Sequence, residues 1–311
     1  MNQCIIDEDE VEDMKISLIA MDMDGTLLQS DQTISEKTTK KLIELQQKGI
    51  KIVLVSGRNY NRLKRYAEQL QLEKYGGYLI EVNGMAINDL QKKQREVLER
   101  LSIQQARELF ALLQPYEVET QYIMDDGLYV HIPEVCMQEK KKLRKEHHIP
   151  DDFPWTAGAT NVFFDARDGY ARIMYMEHAS EIVEEINKVG IPATAKQLEV
   201  MMKDLSELSD TYWIGRTTPT WLEIMPVNLS KGKALRMLAQ RLSIPMSEVM
   251  CFGDGENDLS MFEVCAYPIA MSNAMDIVKQ KAYTITVADH DHDGIIETLK
   301  QYHIGETEEN V

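Results

Sequence analysis

A short, largely apolar run, Ile16-Ser17-Leu18-Ile19-Ala20-Met21, goes straight into Asp22-Met23-Asp24-Gly25-Thr26. A buried strand that ends on two carboxylates puts like charges at the edge of a core, and they repel unless a cation intervenes. The layout recurs along the chain. Ile50 to Val55 stops at Ser56-Gly57-Arg58, Tyr78 to Val82 stops at Asn83-Gly84, and Val249 to Phe252 stops at Gly253-Asp254. Helical patterns separate these strands. Thr33 with Glu36 makes a candidate capping box, opening a helix that lines up Ile34, Thr38, Leu42 and Leu45 and stops at Gly49. Leu63, Tyr66, Ala67 and Leu70 mark a second helix, and Ala234, Leu235, Leu238 and Leu242 mark a third. Alternating strands and helices predict an α/β fold, a doubly wound and mostly parallel sheet with right-handed crossovers.

The texture changes in the middle of the 311 residues. Ser102 and Gln105 suggest a capping box, followed by a helix through Leu113. Tyr122 to Met124, a turn at Asp125-Asp126-Gly127 and Leu128 to Ile132 read as a hairpin. The basic stretch Lys140, Lys141, Lys142, Arg144 and Lys145 reads as the solvated face of a helix, and Ala171 to Met176 and Trp221 to Met225 as further strands. We therefore expect an α+β module at residues 86–226 inserted into a core made of residues 16–85 and 227–303, with flexible tails at 1–15 and 304–311.

Net charge narrows the partners. With 51 acidic against 34 basic residues, the formal charge is −17, a field that repels nucleic acid and anionic membranes. It also repels phosphorylated metabolites, so any phosphate site must make positive charge locally, from a cation or a lysine. No run approaches 18 apolar residues. The opening MNQCIIDEDEVEDMK is acidic where an export signal would be basic, so a cytoplasmic location is expected. Cys4, Cys136, Cys251 and Cys265 show no CxxC spacing, which fits free thiols in a reducing compartment.

Open parallel sheets bind ligands at the carboxyl ends of their strands. The unusual polar residues fall there: Asp22 and Asp24 after the first strand, Ser56 after the second, Asp254 and Asp258 after a later one. The glycine-flexed loop Gly253-Asp254-Gly255-Glu256-Asn257-Asp258 is suited to hold a hard cation on oxygen ligands.

In these motifs and their order the chain resembles the haloacid dehalogenase superfamily, specifically the cap-bearing Cof-type hydrolases of subclass IIB. The resemblance runs from about residue 16 to 300. It rests on Asp22-Met23-Asp24-Gly25-Thr26, Ser56-Gly57-Arg58, Lys231 in Ser-Lys-Gly, and residues 253–258. Asn83-Gly84, Met271-Ser272-Asn273-Ala274 and Asp293-Gly294-Ile295 match secondary signatures. Ser272 and Ile295 stand where the family more often has Gly and Val, and Asn228 replaces a glycine common shortly before the motif lysine.

The resemblance implies a Rossmann-like core with a cap of the C2 type. It also implies a magnesium-dependent phosphatase acting on a small phosphorylated metabolite, such as a sugar phosphate. Asp22 would be the nucleophile that becomes phosphorylated and Asp24 the acid and base. Magnesium would be held by the Asp22 carboxylate, the Asp24 backbone carbonyl and Asp254. Lys231 would add a second positive charge, with Asp258 holding metal waters or orienting that lysine. Ser56, the amides of Gly57 and Met23, and Asn257 would contact phosphate oxygens. A phosphomutase or phosphotransferase on the same scaffold, and a receiver-like phosphoacceptor module, remain alternatives. Oligomeric state is not legible.

Overall fold

The computed structural model describes residues 14–305 except residue 160. The chain divides into two compact units. One takes the described residues up to Leu98 and from Ser230 on, and the other is Glu99–Leu229.

The first unit begins with β1 (Leu18–Met21), β2 (Lys51–Val55) and β3 (Tyr78–Glu81), joined by helices Glu36–Gln47 and Tyr60–Gln69. The first helix starts later than the Thr33/Glu36 pairing predicts. Ser35 is its N-cap, accepting from the Thr38 amide at 3.0 Å, while Thr33 is tied to Asp31 in the preceding turn. Thr38, Leu42 and Leu45 are buried as the periodicity requires, and Gly49 leaves the helix at φ +91°. Next come β4 (Ala86–Asp89) and β5 (Gln94–Val97), a hairpin whose first strand pairs antiparallel with β3. The compact unit runs through this hairpin to Leu98, past the expected boundary at 85/86. The hairpin extends the core sheet, and its polar, exposed β5 carries no alternation that would mark it as a strand.

The second unit is α+β. It contains β6 (Thr120–Ile123), β7 (Gly127–His131), β8 (Arg172–Tyr175), β9 (Lys188–Pro192), β10 (Tyr212–Thr218) and β11 (Trp221–Pro226), in the order β10-β11-β9-β6-β7-β8. The Ser102/Gln105 capping box forms and opens helix Ile103–Leu113. That helix and Ala195–Asp204 bury Leu109, Phe110, Leu198 and Met201 in a core with Tyr122, Val189 and Ile224 from one face of the sheet.

On helix Glu134–Glu146 the expected solvated basic face holds for Lys141, Lys142 and Lys145, which are exposed, and fails at two positions. Lys140 and Arg144, one turn apart, are buried. Lys140 Nζ pairs with Glu119 at 2.7 Å and donates to the carbonyls of Trp155, at 2.6 Å, and Phe163. Arg144 donates to the carbonyls of Pro150, Asp151, Phe153 and Pro154 and stacks 3.7 Å from the Trp155 ring. These two cations pin a long irregular loop whose carbonyls would otherwise be unsatisfied. Lys140→Met strands the buried Glu119 carboxylate, so chemical denaturation should show a loss of about 3–5 kcal/mol. The exposed neighbour changed by Lys141→Met should stay within about 0.5 kcal/mol of wild type.

The chain returns to the first unit through helix Lys231–Arg241, then β12 (Val249–Gly253), β13 (Tyr267–Ala270) and β14 (Thr284–Ile285). The core sheet has eight strands in the order β14-β13-β12-β1-β2-β3-β4-β5. It is parallel from β14 to β3. Chain order runs one way from β1 to β3 and the other way from β12 to β14, which makes β1/β12 the switch point of a doubly wound sheet. Leu18–Met21 and β12 are fully buried, as strands covered on both faces must be.

Most of the expected tails lies outside the described residues; within the C-terminal one, Ile304 is buried in the core. Cys136, Cys251 and Cys265 are free thiols, and Cys4 lies outside the described residues. Among the described residues no helix is long and apolar enough to cross a membrane.

Candidate active site

Asp22 is the first residue past β1, and its amide continues the ladder to the Phe252 carbonyl at 3.0 Å. That bond sets it beside the end of β12, where Gly253 leads into Asp254. Gly25 takes φ +78°, and a Cβ there would come within 2.5 Å of Asp254 Oδ2. The turn after Asp24 therefore closes against Asp254 only with glycine. Thr26 then donates its hydroxyl to Asp254 Oδ1 at 2.9 Å.

Lys231 arrives from the start of its helix and is completely buried. Its Nζ lies 2.5 Å from Asp22 Oδ1 and 2.7 Å from Asp258 Oδ1. The other Asp258 oxygen accepts from the amides of Asp254, at 2.9 Å, and Gly255, at 3.0 Å. One carboxylate thus orients both the lysine and the acidic loop. Burial opposes the charge on Lys231, but Asp22 and Asp258 outweigh it and hold the ammonium protonated, with its pKa raised.

Asp22, Asp254 and Asp258 each offer an oxygen within 4.8 Å of the others. Burial first, and then the Asp258 charge, push Asp254 up to about 7. Burial also drives Asp22 well above the usual carboxylate range, against the pull of Lys231. Three crowded carboxylates served by one lysine are short of positive charge. Hard oxygen donors in this state suit a divalent cation such as magnesium, which would relieve both shifts.

Ser56 follows β2, the strand next to β1, and is buried, with its hydroxyl accepting from the Arg58 amide at 3.1 Å. Met23 is buried, its carbonyl accepting from the Thr26 and Leu28 amides in the turn. Gly57 lies between Ser56 and Arg58. Asn257 sits in the acidic loop and donates to Asn83 Oδ1 at 3.1 Å.

The Asp24 carboxylate stands apart from the acidic cluster. Arg58 Nε donates to its Oδ2 at 2.8 Å, and Arg58 Nη2 donates to Oδ1 and to the Gln32 side chain. Burial works against the Asp24 charge, yet Arg58 keeps its pKa below the ordinary value. In this geometry Asp24 is an ion-paired carboxylate that Arg58 holds ionised; to take up or give a proton it must first leave the arginine. In sequence Arg58 is only the third residue of Ser56-Gly57-Arg58, with no role implied for it. The available signal is an arginine just past a strand end, a place where its charge is buried and calls for a carboxylate partner.

The sequence matches the haloacid dehalogenase-like hydrolase family over residues 19–299. The chain belongs to that family. It is 28% identical over 295 residues to the 5-amino-6-(5-phospho-D-ribitylamino)uracil phosphatase YcsE of Bacillus subtilis, covering 94% of this chain and 97% of that one. Among solved structures, a haloacid dehalogenase-like hydrolase from Bacteroides thetaiotaomicron superposes with a TM-score of 0.72 at 25% identity, covering 92% of this chain and 99% of that one. A subclass IIB sugar phosphatase shares the fold, with a TM-score of 0.68 at 22% identity over 92% of this chain and 99% of its own. The resemblance of the motifs to the haloacid dehalogenase superfamily agrees with the family match.

Proposed function

We propose that this haloacid dehalogenase-like hydrolase is a magnesium-dependent phosphatase that cleaves monoesters of small phosphorylated metabolites through a phosphorylated Asp22. The reading rests on one observation above the rest: Lys231 and three carboxylates crowd one strand end of a family whose relatives include phosphatases.

Asp22 attacks phosphorus, and the bond from phosphorus to the ester oxygen breaks. Asp24, once released from Arg58 and protonated, gives its proton to the leaving oxygen. Water then attacks the phosphoaspartate, Asp24 takes back a proton, and inorganic phosphate leaves with Asp22 restored. Lys231 keeps Asp22 oriented and offsets its repulsion of the phosphate. Ser56, the amides of Gly57 and Met23, and Asn257 hold phosphate oxygens. Magnesium, held by Asp22, Asp254 and the Asp24 carbonyl, would supply charge neutralisation at phosphorus. The inserted unit is read as the cap that selects the leaving group. A phosphorylated polyol or sugar fits the relatives' chemistry, and a cytoplasmic location fits such a substrate.

The test is phosphate release from a panel of sugar, polyol and nucleoside phosphates. Release should stop with EDTA and return with magnesium. The metal requirement should also depend on pH. Asp254 binds a proton below about 7, and that proton competes with the cation. Half-saturating magnesium should therefore rise as pH falls from 8 to 6. Phosphate passed to a second sugar rather than to water would replace this reading with a mutase, and full activity in EDTA would remove the metal from it.

A further inference from the structure

In sequence Asn83-Gly84 is no more than a signature before the insertion. In the folded core unit, the turn after β3 runs through three successive left-handed residues: Val82 at φ +48°, Asn83 at +56° and Gly84 at +104°. Glycine takes this conformation freely and asparagine tolerates it. A β-branched residue almost never adopts it, so Val82 is held there against its preference. Strain of this kind persists only where surrounding contacts enforce it, and it concentrates at functional sites.

The contacts that enforce it reach three separate parts of the candidate site. The Val82 amide donates to the Arg58 carbonyl at 3.1 Å, and the Asn83 amide donates to the Ser56 carbonyl at 2.9 Å. Two successive N–H groups thus hold the Ser56–Arg58 loop. Gly84 packs where a Cβ would lie 2.3 Å from the Ser230 carbonyl, directly before Lys231. The buried Asn83 side chain offers its Oδ1 to Asn257 Nδ2 at 3.1 Å.

That last bond has a chemical consequence. The two halves of a primary amide are nearly equal in shape and opposite in hydrogen-bonding sense. A carbonyl oxygen facing Asn257 accepts only its NH2 end; the flipped amide would set oxygen against oxygen. The NH2 group carries a second N–H, which stays available to an anion. Backbone conformation alone would accept glycine at position 83, and the side-chain bond is what asks for asparagine.

We propose that Asn83 is a positioning residue of the phosphate site. Its side chain fixes which way the Asn257 amide faces, and its backbone holds the Ser56 loop in register with Lys231. The inference rests on the phosphatase reading, in which Asn257 and Ser56 contact phosphate.

The experiment compares wild type, Asn83→Gly, Asn83→Ala, Asn257→Ala and the Asn83→Gly/Asn257→Ala pair. The readouts are p-nitrophenyl phosphate kinetics, competition by inorganic phosphate, and Tm. Asn83→Gly keeps the turn and deletes the acceptor. It should raise KM and the phosphate inhibition constant about tenfold, as expected for a lost charge-assisted bond, with kcat down by less than about threefold and Tm little changed. Asn257→Ala should give the same shift, and the pair should add nothing further, because both changes remove one interaction. Asn83→Ala also strains the turn and should lower Tm in addition. Active wild type with unchanged constants in Asn83→Gly, or shifts that add in the pair, overturns the role of Asn83 alone. Wild type that releases no phosphate from any ester overturns the phosphatase reading, and this inference with it.

Discussion

Asp22→Asn should cut turnover of p-nitrophenyl phosphate by roughly four orders of magnitude or more while the protein melts no earlier than wild type. An amide has almost the shape of a carboxylate but no lone pair nucleophilic enough to attack phosphorus. Activity therefore falls with the nucleophile itself and leaves no covalent route. Stability should hold or rise, for a reason visible in the site. Burial pushes the Asp22 pKa well above its ordinary value, so the buried negative charge there is a cost to the fold. Removing that charge relieves the crowding with Asp254 and Asp258, and Lys231 keeps Asp258 as a partner at 2.7 Å. Steady-state assays and thermal melts on the same preparation check both halves. Undiminished turnover would refute the assignment of the nucleophile.

Lys231→Met is the opposite experiment and should be the most destabilising change in the core. Methionine fills similar volume, but the ammonium between Asp22 and Asp258 is gone. Breaking a fully buried ion pair from one side costs about 3–5 kcal/mol. In a chain of this size that lowers Tm by about 10 °C. Activity should fall by about 10²–10³-fold as charge stabilisation at phosphorus is lost. The pH dependence follows from the sign of the shift. Asp22 already has a raised folded pKa, and without the lysine it rises further. A raised acid contributes stability below its unfolded pKa and loses it as pH rises through the folded value. The deficit of Lys231→Met should thus shrink in acid and grow toward neutral pH. Adding Asp22→Asn to Lys231→Met should recover part of the loss, and magnesium should recover part as well. A melt unchanged from wild type at neutral pH would mean that the lysine carries no such load.

Much of the core could be read from residue order. Strand ends at Asp22, Ser56 and Asp254 follow from apolar runs that stop at glycine-rich polar loops, a signal confined to a few residues. Gly25 and Gly49 announce turns for the same local reason. The edge hairpin of β4 and β5 escaped because an edge strand with little to bury has no hydrophobic pattern. Lys140 and Arg144 look like surface in sequence, because a charge looks solvated until its acceptors are known. Those acceptors are Glu119 and backbone carbonyls of a loop that periodicity cannot place. Thr33 lost the capping role to Ser35, two residues on, where side-chain reach to an amide rather than spacing decides the start. Asn83 stands out in sequence by its place in the chain, and only the fold brings it to Asn257 across 174 positions.

Residue types and their order settled which chemical groups the chain owns: two acids after one strand, a lysine before a helix, an acidic loop after another strand. Such information is local, and it survives in the unfolded chain. The folded structure alone decided how those groups act on one another. Lys231 meets Asp22 across 209 positions and Asp258 across 27, and Arg58 meets Asp24 across 34. Charge interactions depend on separation and on the exclusion of water, neither of which is written along the chain. For that reason the acid raised to about 7 is Asp254 and the one held ionised is Asp24.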